Sequence, residues 1–257
     1  MIPGCRTTRS VGAAALLALF GWSGAPAAVD SDELSDLAAR IQYAVYEEDL
    51  RGLTELSSRL AAETGRGGLT PLLRYHAAYA AYRAAELAPG ALQDDGDHLA
   101  RCEEQAEAAI DADPEFADAR ALAGACAALE GSRNPAALLA IRRARQHLRA
   151  AWSIAPNNPR VLLLVAASDL RRSGLSEGIG TPAELLVRAA ERFRVPTAAD
   201  SGWPDWGEAE TAVLQAEIAL EEGRLLDARD AAERALILAP DYRRAVAVLR
   251  KLGIPGP

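Results

Sequence analysis

Three stretches decide how this chain is read: AEAAIDADPEFADA at residues 106–119, LRAAWSIAPNNPRV at 148–161 and AERALILAPDYRRA at 232–245. In each, a run of good helix formers ends in an apolar pair, a proline follows, and a second helix-prone run begins. Proline cannot continue a helix but is tolerated in the first turn of the next one. Ala109 and Ala151 are 42 residues apart, and Ala151 and Ala235 are 84 apart, twice that spacing. Phe193 stands where the missing member belongs, preceded by Ala189-Ala190-Glu191-Arg192, a tetrad that recurs at 231–234. Four units in one register imply an array of helical repeats.

The last unit shows the pattern most compactly. From Ala209 the sequence predicts a helix to Glu222, a turn at Gly223-Arg224, a second helix and a closing Pro240. Ala216 and Ala228 allow the two helices to approach closely, while Ala232, Ala235 and Leu236 face the neighbouring unit. With those small residues, the turn glycine and the closing proline, the segment resembles a tetratricopeptide repeat. The unit from Ala117 resembles it through Gly124, Ala144, Ala151 and Pro156, and the unit from Pro159 through Ala166 and Phe193. Both carry extra residues, expected in their turns at Gly131–Pro135 and Gly174–Pro182. The last unit has its extra residues before it, around Val195–Trp206. The resemblance covers residues 94–242.

Outside that span the signals are looser but still helical. Ser31 is placed to cap a helix over 32–47, and Asp49 one over 50–64 that ends at Gly65. Thr70-Pro71 opens a third helix to Leu87, and Asp94 or Asp97 a fourth that closes at Pro114. Residues 241–252 read as a final helix stopped by Gly253 and Pro255. The expectation is an all-α protein, a right-handed α-solenoid of about eleven helices in antiparallel hairpins. It forms one domain over 28–257, with divergent helices at 28–93, repeats at 94–242 and a cap and tail at 243–257.

Charge and targeting narrow the function classes. The chain has 257 residues, half of them hydrophobic, with 28 basic and 36 acidic side chains. That balance argues against a nucleic-acid binder, which needs a concentrated basic surface. Lys251 is the sole lysine. Arg6 and Arg9 precede an apolar run from Val11 to Phe20, and Ala25-Pro26-Ala27 offers a small-x-small cleavage site, so residues 1–27 read as a signal peptide. Gly21 to Pro26 breaks the run short of the roughly 20 apolar residues a span requires. The expectation is export, most simply to the periplasm, with no membrane-spanning segment in the mature chain.

The resemblance implies a concave groove lined by the first helix of each hairpin. Its positions here are Asp118, Ala121, Ala125 and Leu129; Arg160, Leu163, Ala167, Leu170 and Arg171; and Glu210, Val213, Glu217, Leu220 and Glu221. Such a mixed surface resembles one that holds a protein or peptide. Tyr75, Tyr79 and Tyr82 share one helix face and are either interface anchors or core packed on the helix over 50–64. Trp203 and Trp206 lie in a long loop at 195–207, either functional or folded back over a hairpin.

Cys102 and Cys126 are the only cysteines after removal of the leader. The turn between their helices centres near Asp113-Pro114, so each sits about 18 Å up an antiparallel helix, level with the other. Export and that placement favour a disulfide, with two buried small hydrophobes as the alternative.

Gly174, Gly178 and Gly180 lack the flanking strand and lysine of a phosphate loop. His76, His98 and His147 have no ligand spacing, and no catalytic motif occurs in the mature chain. Hence the sequence calls for no cofactor and no enzyme. It favours a non-catalytic binding module of the bacterial envelope, with an accessory part in an envelope transport or assembly machine as the alternative.

Overall fold

The computed structural model describes Met1 and residues 29–63, 70–88, 94–134, 136–195 and 203–254, and of 94–96 the backbone alone. The predicted signal peptide lies, Met1 apart, outside the described residues. So do the expected stops at Gly65, Pro89-Gly90, Pro135 and Pro255.

Among the described residues there are eleven helices and no strand element. They are α1 Ser31–Tyr46, α2 Leu50–Ala62, α3 Thr70–Leu87, α4 Asp94–Ala112, α5 Ala117–Arg133, α6 Leu138–Ile154, α7 Pro159–Arg171, α8 Pro182–Phe193, α9 Glu208–Glu221, α10 Leu225–Leu238 and α11 Arg243–Lys251. Consecutive helices pack as hairpins, α3 with α4, α5 with α6, α7 with α8 and α9 with α10, while α1 and α2 pack on α3 and α11 packs on α9 and α10. The chain is an all-α helical-repeat solenoid.

Local chemistry sets the boundaries. Asp49 caps α2, its carboxylate accepting the Gly52 amide at 3.0 Å. Asn158 caps α7 ahead of Pro159. Thr181 and Glu184 form a reciprocal capping box at the start of α8. The cap of α1 is Asp30, which accepts the Glu33 amide at 3.0 Å, rather than the expected Ser31. A carboxylate one residue earlier reaches the first-turn amides and favours the helix dipole. The α9–α10 turn pivots on Gly223 at φ +74, where a side chain would be strained.

Alanine governs the packing. The alanine-rich faces of α3, α5 and α9 let neighbouring axes come close, α7 adds Val161 to Val165, and the core runs unbroken from Val29 to Leu214. Two smaller clusters join α9, α10 and α11. Gly124 shows how close α5 and α6 lie, since a Cβ there would stand 2.7 Å from Leu148 Cγ. Ala166 and Ala216 are likewise fully buried.

The extra residues of the middle units lie in two different places. Those expected as a turn at Gly131–Pro135 instead lengthen helices: α5 and α6 are 17 residues each, against 13 or 14 in α7, α9 and α10. Gly131 is a buried helical residue against Ile141. Those at 174–182 do form a loop, with Gly174, Gly178 and Gly180 all at positive φ. No helix among the described residues is long and apolar enough to cross a membrane.

Candidate functional site

The inner face of the array is where the resemblance places a groove, and most of the candidate residues meet there. They meet one another. Tyr75 and Tyr79 project from α3 with 0% and 1% of their surface exposed, and Tyr82 is also buried. The segment just before α9 folds back onto them. The Trp206 indole stacks on the Tyr79 ring with centroids 4.2 Å apart, and its Nε1–H donates to Tyr75 Oη at 3.0 Å. Trp203 meets Phe116 edge-on but remains 42% exposed. Gly207, which turns this segment into α9, has φ +119 and would clash with Phe193 if it carried a Cβ.

Glu210 is the polar centre of this wedge. Its Oε2 accepts the Gly207 amide at 3.0 Å. Its Oε1 accepts Gln42 Nε2 from α1 at 2.6 Å and the Tyr79 hydroxyl at 3.3 Å. A buried carboxylate is costly unless its lone pairs are filled, and here both oxygens are. Burial, then the nearby Glu210 charge, pushes the Tyr79 hydroxyl well above its ordinary range. Tyr75 is raised in the same way by burial and by Asp118.

The other predicted positions are paired too. Arg160 donates to Asp118 at 2.6 Å, and Asn158 holds the second oxygen of that carboxylate. Arg171 pairs with Glu86 and lies over the Tyr82 ring, 5.8 Å from its centroid. Glu217 receives a two-pronged contact from Arg244 of α11 at 2.5 and 2.6 Å. Leu163 and Val213 are buried core. A small cavity of about 20 Å³, room for about one water, lies between Tyr82, Arg83, Arg171, Trp206 and Arg244. Among the described residues, side chains of α3, α9 and the Trp206 segment pack against one another on this face. The tyrosines of α3, which packs on α2, also meet Gln42 of α1, Phe116, Arg171 of α7, Trp206 and Glu210 of α9.

Sequence reasoning missed Gln42, Tyr46, Arg83, Tyr242 and Arg244, which complete the same interior. Tyr46 and Tyr242 rings lie 4.8 Å apart, and Arg83 pairs with Glu86 at 2.9 Å. The signal for a buried α3 was present: TPLLRYHAAYAAYRAAEL has no continuous polar face, and a helix apolar on all sides is buried.

Cys102 of α4 and Cys126 of α5 are fully buried, joined as a disulfide with Cα atoms 6.2 Å apart. Among the described residues no group of three or more His, Cys, Asp or Glu side chains is arranged to hold a metal ion.

What the fold leaves open lies outside. A groove of about 320 Å³ runs between α8 and α10, with Leu186, Ile218 and Ala231 on its floor, Val187 on its wall and Arg224, Asp227 and Arg234 at its rim. Leu226 and Ile237 of α10 are among the most exposed large apolar side chains. No protein-family model matches the chain, and no curated protein is similar to it.

Proposed function

We propose that this chain is a non-catalytic protein-interaction module of tetratricopeptide type, exported to the bacterial envelope, that holds a partner polypeptide on its outer face. One observation carries the reading: the inner face is sealed by Trp206, Tyr75, Tyr79 and Glu210, whose hydrogen bonds are all made within the chain. A rigid array of helical hairpins that fills its own groove offers partners the ridges and grooves of its second helices. Arg6 and Arg9, the apolar run and Ala25-Pro26-Ala27 support the export part of the reading.

Photo-crosslinking in envelope preparations tests it. A crosslinker at Val187 on α8 is expected to give a discrete protein adduct, whereas one at Leu163 inside gives none. Adducts from Leu163 alone, or from neither site, overturn the reading. The mature N-terminus, determined by sequencing, is expected just after Ala27.

A further inference from the structure

Charge along the chain is sharply segregated. Residues 138–195 hold ten arginines against four carboxylates, within a protein of net charge −8. The fold concentrates them. Arg142, Arg145 and Arg149 recur at i, i+3 and i+7 and share one face of α6, while Arg188 and Arg192 recur at i, i+4 on α8.

Their hydrogen bonds show where the two rows point. Arg145 and Arg149 donate to the carbonyls of Gly174 and Glu177 in the α7–α8 loop, at 3.3 and 3.4 Å. Arg188 reaches the carbonyl of Pro156, and Arg192 the side-chain oxygen of Asn157, in the α6–α7 turn. Both rows therefore lean into the space between α6 and α8. They rest on neutral oxygens, so no carboxylate among the described residues offsets these four charges. Arg142, Arg172 and Arg194 likewise make no ion pair among the described residues. Arg143, facing the other way, does: Glu103 and Glu130 hold it at 3.0 and 2.7 Å.

The loop that anchors Arg145 and Arg149 is itself firmly built. Asp169 accepts the amides of Gly174 and Ser176 at 2.9 and 2.8 Å, and the Ser176 hydroxyl donates to the Gly180 carbonyl at 2.7 Å. The acids nearby are Glu177, Glu184 and Glu191, and Glu184 is engaged by the Thr181 amide. A guanidinium has five donors in a fixed fork and spends one here, which leaves each free to take a carboxylate.

We propose that the α6–α8 face docks an acidic segment of a partner polypeptide, its Asp and Glu side chains seated between the two arginine rows. This rests on the reading of the chain as a protein-interaction module and gives the partner's chemistry. Two arginine rows that lean toward each other suit an extended carboxylate-bearing chain better than a flat lipid surface.

The test uses the oxidised mature protein and a fluorescein-labelled poly-L-glutamate peptide, followed by anisotropy. Binding is expected to weaken steeply as salt rises. Arg145→Ser/Arg149→Ser and Arg188→Ser/Arg192→Ser should each lower affinity about tenfold, two surface charge contacts at a time. Arg143→Ser should leave it within about twofold, because its charge is already offset. Circular dichroism checks each variant, and the Arg→Lys pairs keep the charge should a serine pair unfold. Wild-type affinity retained in both serine pairs overturns the proposal, as does tighter binding to phosphatidylglycerol vesicles that the peptide cannot displace. If the wild-type protein gives the Val187 adduct but does not bind the peptide, the arginine face is wrong and the interaction-module reading stands.

Discussion

Replacing Trp206 by alanine removes the wedge that closes the inner face. The side chain is almost fully buried, so the change leaves a cavity among Tyr75, Tyr79 and Tyr82, and large aromatic truncations of this kind cost about 3–5 kcal/mol. That includes the stacked contact with Tyr79, about 0.5–1.5 kcal/mol beyond area, and about 1 kcal/mol for the indole bond to Tyr75. For a chain of this size, each kcal/mol moves the melting temperature by about 2–4 °C, so a fall of about 10 °C is expected. Trp203→Ala sets the comparison: its ring is 42% exposed and touches Phe116 edge-on, so the loss should stay below about 1.5 kcal/mol. Urea unfolding at neutral pH measures both. A double-mutant cycle of Trp206→Phe with Tyr75→Phe then isolates the indole–hydroxyl bond, with a coupling of about 1 kcal/mol. Equal costs for the two tryptophans, or a loss at Trp206 below about 1 kcal/mol, would refute the closed inner face.

Gly124→Ala normally strengthens a helix by about 1 kcal/mol, but here the Cβ meets Leu148 and a net loss of about 1–3 kcal/mol is expected in urea unfolding. Ala216→Leu should cost a similar amount at the last hairpin, and a stable variant would contradict the packing. The Cys102–Cys126 bridge closes a loop with a sequence separation of 24, so full reduction should lower stability by about 3 kcal/mol. Two free thiols in the mass of unreduced envelope material would contradict the bridge. Tyr75 and Tyr79 keep their protons in the folded state beyond the pH at which the unfolded chain releases them, near 10. Stability should therefore fall as pH rises above about 10, and Tyr79→Phe should flatten that fall. An unchanged slope in the variant would count against it.

The architecture was legible because its causes are local and periodic. The 42-residue register repeats, and the capping Asp49 and the turn glycine at 223 each act within a few residues of themselves. The α5–α6 turn was misread because Gly131 looks like a breaker, yet the close contact with Ile141 uses its missing side chain for packing. The inner face was less legible for a different reason. Tyr79 and Glu210 are 131 residues apart in sequence, and nothing local to either says that they meet. Gln42, Arg83 and Arg244 look like solvated surface residues until α1, α3 and α11 are brought together. The arginine rows on α6 and α8 went unread in the sequence, because their common orientation comes from oxygens in the loop and turn between them.

The fluorescence of Trp206 reports whether the inner face is closed to solvent. With the leader removed, Trp152→Phe/Trp203→Phe leaves Trp206 the sole indole. Its native emission should be blue-shifted and resist acrylamide quenching, with quenching appearing only at the urea transition. Emission at the wavelength of the unfolded chain, with the same quenching constant before and after unfolding, would mean that the inner face is open to solvent.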